Sequence, residues 1–170
     1  MAHVHDLWHG IAMTVTVRSL TAADADVVIA MNAAFVAHLA ALGDPDSDAQ
    51  HFTREKYLVD GFGADPAFAG YIAEEGGAPL GYLLYCKGYN VDVAERLFFI
   101  CDLWVAASAR RKGVGRALMA RCAADCRAWG GQRLEWNVYQ PNKMASEFYR
   151  RLGGEVIQGL VVMTLGSDGV

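Results

Sequence analysis

The chain has 170 residues, 54% hydrophobic and 20% charged, with a formal net charge of −4. That length suits one globular domain with a sizeable core, expected over residues 13–170, with residues 1–12 as a disordered extension. The acidic balance argues against a nucleic-acid partner, because basic residues gather only around Arg110–Arg116 and Arg150–Arg151.

The first twelve residues have no basic start and no long apolar run, so no signal peptide is expected there. His3, His5 and His9 lack other ligands nearby and read as part of the extension. Thr14–Leu20 reads as a strand, and Thr21 then caps a helix whose first turn carries Asp24. Val28, Met31, Phe35, Leu39 and Leu42 follow helical spacing on one face. The uncharged stretch Val27–Gly43 contains Asn32 and His38 and falls short of the roughly 18 apolar residues of a membrane span, so no membrane partner is expected. Gly43-Asp44-Pro45 ends the helix, the acidic loop Asp44–Asp48 follows, and Phe52–Gly61 reads as a second helix. Phe68–Glu74 and Leu80–Lys87 read as a hairpin around Gly76-Gly77.

Leu97–Val105 carries one charge in nine residues, the pattern of a strand buried on both faces. A basic, Gly-bearing turn leads into a helix over Val114–Trp129, then a strand over Arg133–Val138 and a helix over Lys143–Leu152. Two short strands, Glu155–Ile157 and Leu160–Leu165, would close the chain. The expected fold is a mixed α/β sheet of about seven strands: an antiparallel meander, a parallel β-α-β unit, and helices on both faces. Cys86, Cys101, Cys122 and Cys126 form no C-x-x-C pair. No metal is therefore expected, and the four read as buried small hydrophobes of a reducing, cytoplasmic compartment.

The turn after the buried strand carries the chemistry. Gly113 and Gly115 let the backbone approach an anion, and the N–H groups at the helix start point at it. Arg110, Arg111, Lys112 and Arg116 surround them with positive charge. No Lys-Ser or Lys-Thr follows a glycine, as a nucleotide-hydrolysing P-loop requires, and Leu118 stands where a dinucleotide fold needs its third glycine. What remains is R-x-x-G-x-G at Arg110, Gly113 and Gly115, preceded by Asp102-Leu103-Trp104-Val105.

This pattern resembles the pyrophosphate-binding motif of the GNAT acetyltransferases, which use acetyl-CoA. Ala107 departs from the Pro of many members. The second signature of that family, N-x-x-A-x-x-F-Y-x-x-L-G, is similar to Asn142 through Gly153, about thirty residues further on. Ala145, Phe148, Tyr149 and Leu152 share one face of that helix. The resemblance implies that the fourth and fifth strands splay, with the pantetheine arm against Leu103, Trp104 and Val105. It implies phosphate contacts at Arg110, Arg111, Lys112, Gly113, Val114, Gly115 and Arg116, and further cofactor contacts at Asn142 and Ala145. Tyr149 is implied as the general acid that protonates the departing thiolate, a task for which a phenol, with a reference pKa near 10, is suited.

Direct transfer to an amine also needs a base. Asp102, on a strand face with Ile100 and Trp104, is a candidate, as are Glu135, the more remote Glu55, and a water chain. Leu134-Glu-Trp-Asn137, Asn142 and Phe148-Tyr-Arg-Arg151 resemble the spermidine/spermine-type enzymes, which place Glu where this chain has Cys101. Cys101, Glu135 and Asn137 are accordingly candidate substrate contacts. The expected function is acetyl transfer to a primary amine of a small, polyamine-like or amino-acid-like molecule. The alternatives are transfer to a protein or peptide, and a non-catalytic acyl-CoA sensor. A homodimer is the default expectation from the resemblance.

Overall fold

The computed structural model describes residues 14–45, 47 and 51–167. The expected extension over residues 1–12, and positions 46 and 48 of the acidic loop, lie outside the described residues. The chain forms two compact units, divided after Asn137.

The first unit contains β1 (Thr16–Ser19), α1 (Ala25–Ala40), α2 (Arg54–Phe62), β2 (Ala69–Glu75), β3 (Ala78–Asn90), β4 (Glu95–Val105), α3 (Val114–Ala128) and β5 (Arg133–Trp136). The strands lie in the order β1-β2-β3-β4-β5. The first four pair antiparallel, and β5 pairs parallel to β4 after the α3 crossover. Gly76 and Gly77 take φ of 56° and 82°, the left-handed pair that a tight hairpin between β2 and β3 requires.

Adjacent residues of a strand face opposite sides of the sheet, and both sides are covered. On one side, Ile72, Tyr82, Leu84 and Trp104 pack with Val28 of α1 and Tyr57 of α2. Val28, Tyr57 and Tyr82 are fully buried there, each contributing roughly 1.5–3 kcal/mol. On the other side, Tyr71 donates its hydroxyl to Asp125 of α3 at 2.8 Å. Tyr71, Tyr85, Phe98 and Trp129 form a continuous ring stack against α3, with successive centroids 5.5, 4.2 and 5.6 Å apart.

The start of α1 is tied to the sheet edge. Asp24 accepts from the Thr21 N–H and hydroxyl, both at 2.8 Å, and from Arg18 at 2.7 and 2.8 Å. The Arg18 guanidinium holds the Asp24 carboxyl down to about 2. The hydropathy of α1 corrects one expectation. Ala22–Ala40, 19 residues of hydropathy 1.4, is long and apolar enough to cross a bilayer by length and composition, because short alanines raise its apolarity without supplying a bulky face. Ala25, Val28 and Asn32 are its buried residues.

The second unit holds α4 (Lys143–Arg151), capped by the Asn142 side chain, which accepts from the Ala145 N–H at 3.0 Å. Five strands are present among the described residues, not about seven. Residues 155–167 form no strand, and Val156, Ile157, Leu160, Val161, Val162, Met163 and Leu165 are exposed. Branched residues favour a strand only when a neighbouring ladder and a covering layer are there to receive them.

Candidate active site

The site is built on the far end of β4. β5 ends at Trp136, which pairs with Ile100, so residues 101–105 of β4 have no β5 partner. The register between β3 and β4 also steps at this point. Leu84 pairs with Asp102 and Tyr85 with Ile100, leaving Cys101 as the extra residue of a β-bulge. The bulge corrects the expected strand face. Ile100 follows Tyr85 to the α3 side, whereas Asp102 and Trp104 face α1. It also leaves Cys101 exposed, and Cys86 is half-buried, so only Cys122 and Cys126 of the four are buried as expected. Burial of its thiol among neighbours still pushes Cys101 up to about 12.

Asp102 is half-buried and meets two neutral side-chain donors. The Tyr82 hydroxyl donates to its Oδ2, and Asn32 Nδ2 donates to the same oxygen at 3.1 Å. Oδ1 is shielded from solvent and has no hydrogen-bond partner among the described residues. Burial pushes the carboxyl up from 3.8 to about 6, with Tyr82, Asn32 and the Leu103 N–H holding it back. A carboxyl in that range accepts a proton at neutral pH more readily than an ordinary aspartate.

Beyond β4 the chain turns through Ala107–Ala109 and enters α3. Arg111 and Gly113 take positive φ, 61° and 84°. Gly113 is the N-cap of α3 and offers no side-chain cap, and the first turn holds no acidic residue. The helix ladder starts with the Ala117 N–H on the Gly113 carbonyl at 2.9 Å. The N–H groups of Val114, Gly115 and Arg116 therefore precede the helix ladder, as at helix starts that suit an anion, with Arg111, Lys112 and Arg116 exposed around them. Arg110 has contacts within the protein. It turns back along the strand, where Nε donates to the Val105 carbonyl at 3.0 Å and the guanidinium lies 4.4 Å from the Trp104 ring centroid. Trp104 itself is buried, with Phe35 and His38 rings 5.5 and 5.6 Å away. Leu103 and Val105 are half-buried.

The other candidates for the base, Glu135 and Glu55, and the candidate substrate contact Asn137 have different surroundings. Glu135 is half-buried opposite Phe99 and lies 3.8 Å from Arg133. Asn137 and Glu55 are exposed. Tyr57, Phe52 and Phe68 pack on one another, with Tyr57 donating to the Thr21 carbonyl. A shallow hollow of about 400 Å³ beside Lys87, Tyr89, Arg96 and Trp129 lies at the other end of β4.

The family model for the acetyltransferase (GNAT) family matches residues 32–154. The chain belongs to the GNAT family. It is 30% identical over 125 residues to L-ornithine N5-acetyltransferase NATA1 of Arabidopsis thaliana, covering 74% of this chain and 46% of that protein. It is 27% identical over 117 residues to the thialysine N-epsilon-acetyltransferase of Bos taurus, covering 64% and 68%. The chain thus spans about half the length of the first of these relatives. An integron cassette protein from the mobile metagenome of V. cholerae shares the fold, with a TM-score of 0.72, 21% identity, and coverage of 92% and 95%.

The second GNAT signature lies in the second unit. Asn142 is buried at the start of α4, Ala145 and Tyr149 are half-buried, and the Phe148 and Tyr149 rings meet edge to face at 5.1 Å. Sequence reasoning missed two residues beside Asp102: Asn32 and Tyr82. Asn32 did carry a signal, as the polar residue one turn after Val28 on the apolar face of α1. Tyr82 carried none, because a tyrosine in a buried strand reads as core.

Proposed function

We propose that the chain transfers the acetyl group of acetyl-CoA to a primary amine of a small molecule. One observation carries the reading. At one end of β4, an uncapped, basic helix start lies on the same strand-turn-helix unit as a carboxylate of raised proton affinity. The relatives named for the N5 of ornithine and the Nε of thialysine favour an amino-acid-like acceptor. The four free thiols suit a reducing, cytoplasmic compartment.

Acetyl-CoA supplies an acetyl thioester. The N–H groups from Val114 to Arg116, with Arg111 and Lys112, hold its diphosphate. The acceptor reaches the site as an ammonium and loses a proton before its lone pair attacks. Asp102 takes that proton. As the C–N bond forms and the C–S bond breaks, the sulfur departs as a thiolate and takes the Tyr149 phenol proton; the proton then shed by the new amide nitrogen restores the phenol, and Asp102 releases its own to solvent. The Phe-Tyr pair of the family signature supports that role for Tyr149.

Incubation with acetyl-CoA and ornithine, thialysine, putrescine or a short peptide, followed by mass spectrometry of the amine, tests the proposal. Acetylated ornithine or thialysine is the expected product. Acetylation confined to the peptide would transfer the reading to protein substrates. Acetyl-CoA binding with no acetylated amine would leave a sensor domain.

A further inference from the structure

Three side chains from three elements converge at Asp102. Asn32 comes from α1, Tyr82 from β3 and Asp102 from β4. Asn32 Nδ2 also reaches the Tyr82 hydroxyl at 3.2 Å, closing a triangle. Both donors end on Oδ2, and Oδ1 meets none among the described residues. A carboxylate held in this way has one oxygen fixed by side chains and one, shielded from solvent, whose lone pairs are unmet by the described residues.

We infer that Asn32 and Tyr82 are positioning residues, which grip Asp102 by Oδ2 so that Oδ1 receives the ammonium of the acceptor and takes its proton. The inference rests on the reading of Asp102 as the base. The choice of donors supports it. Asn32 does not titrate. Tyr82 is fully buried, and burial beside Asp102 raises its phenol well above the ordinary value, so it stays a donor throughout the working range. Neither donor carries a positive charge. A lysine or arginine in either place would pull the carboxylate down and cost it basicity. These two orient the carboxylate while leaving it a base.

The other groups around Asp102 leave the assignment intact. On β4, Cys101 is pushed up to about 12 and is neutral at assay pH. On α1, His38 packs against Trp104, two residues further along β4, and burial lowers its affinity for a proton. On β5, Glu135 pairs opposite Phe99; Arg133, bonded to Glu95, lies 3.8 Å from its Oε1, which has no hydrogen-bond partner among the described residues.

The test compares wild type, Tyr82→Phe and Asn32→Ala, each checked by thermal melting for folding. Two quantities are read: the midpoint of the Asp102 carboxyl by carbon NMR, assigned with Asp102→Asn, and the pH profile of kcat/KM for acetyl transfer to ornithine, thialysine or putrescine. Each donor stabilises the ionised form, so removing one raises the midpoint. The expected shift is about one pH unit, and the acidic limb of kcat/KM moves up with it. Activity at pH 6 then falls about fivefold and recovers toward pH 9. A midpoint and limb that stay in place in both folded variants would overturn the inference, as would a uniform loss of activity at every pH. Full activity in Asp102→Asn, or no transfer to any of the three amines, would sink the reading of Asp102 as base and this inference with it. An inactive Asp102→Asn beside unmoved limbs in the other two variants would sink the positioning role alone.

Discussion

Replacing Asp102 with Asn should make the protein more stable relative to wild type as pH rises. The unfolded chain releases the Asp102 proton near 3.8, whereas the folded protein holds it to about 6. Between those values the folded state binds more protons, so stability falls with rising pH. The cost is absent below 3.8 and fully present above about pH 6–7. A difference of about 2 pH units corresponds to about 3 kcal/mol. Asn keeps the shape, and its carbonyl oxygen can accept from both Tyr82 and Asn32, but it carries no charge into the interior. Its amide adds a constant offset of about 1–3 kcal/mol if left unmet, which shifts the whole curve and not its slope. Urea unfolding of both proteins at intervals from pH 4 to pH 8 measures the difference. The variant should gain about 3 kcal/mol on wild type across that range. For a chain of this size that corresponds to a relative change in Tm on the order of 5–10 °C. A difference that stays flat with pH would show that Asp102 is not a buried ionised carboxylate, and the argument for its basicity would fail.

Gly113→Ala should test the helix start. The new Cβ would meet nothing within 4 Å, so the cost is the left-handed φ of 84° alone, about 1–2 kcal/mol. A turn that relaxes to relieve it moves an N–H away from the diphosphate, and CoA affinity measured by calorimetry should fall about tenfold. Unchanged affinity would remove the turn from the cofactor site. Asp24→Asn should weaken the knot between the sheet edge and α1. The Asp24 carboxyl is depressed to about 2, so its contribution is present above 3.8 and lost as pH falls toward 2. Because the Arg18 side chain is 43% exposed, the loss at pH 7 should be about 1–2 kcal/mol, discounted for screening. Wild type and variant should converge near pH 2; parallel curves would contradict the ion-pair account.

Much of this fold is legible in local sequence. Gly76-Gly77 marks the hairpin, and the basic turn with Gly113 marks the start of α3, because each needs a backbone conformation that few residues supply. The bulge at Cys101 is invisible for the opposite reason. β4 is covered on both faces, so its apolar run has no alternation from which register can be read. The Asp102 network is equally hidden, since Asn32 and Tyr82 lie 70 and 20 residues away in sequence. The unmade strands after Glu155 show the limit of propensity. Leu160-Val161-Val162-Met163 has the composition of a strand, but a strand exists only with a partner. The contact of Arg110 with Trp104 is hidden for a similar reason, as its motif position says nothing of the ring behind it.

The central claim is acetyl transfer to a small amine with Tyr149 as the acid. Free thiol release from acetyl-CoA in the presence of ornithine or thialysine, wild type beside Tyr149→Phe, tests it most directly. The account predicts amine-dependent release that falls by about 10²–10⁴ in the variant while acetyl-CoA binding is retained. Release that survives in Tyr149→Phe, or that does not depend on the amine, would contradict it.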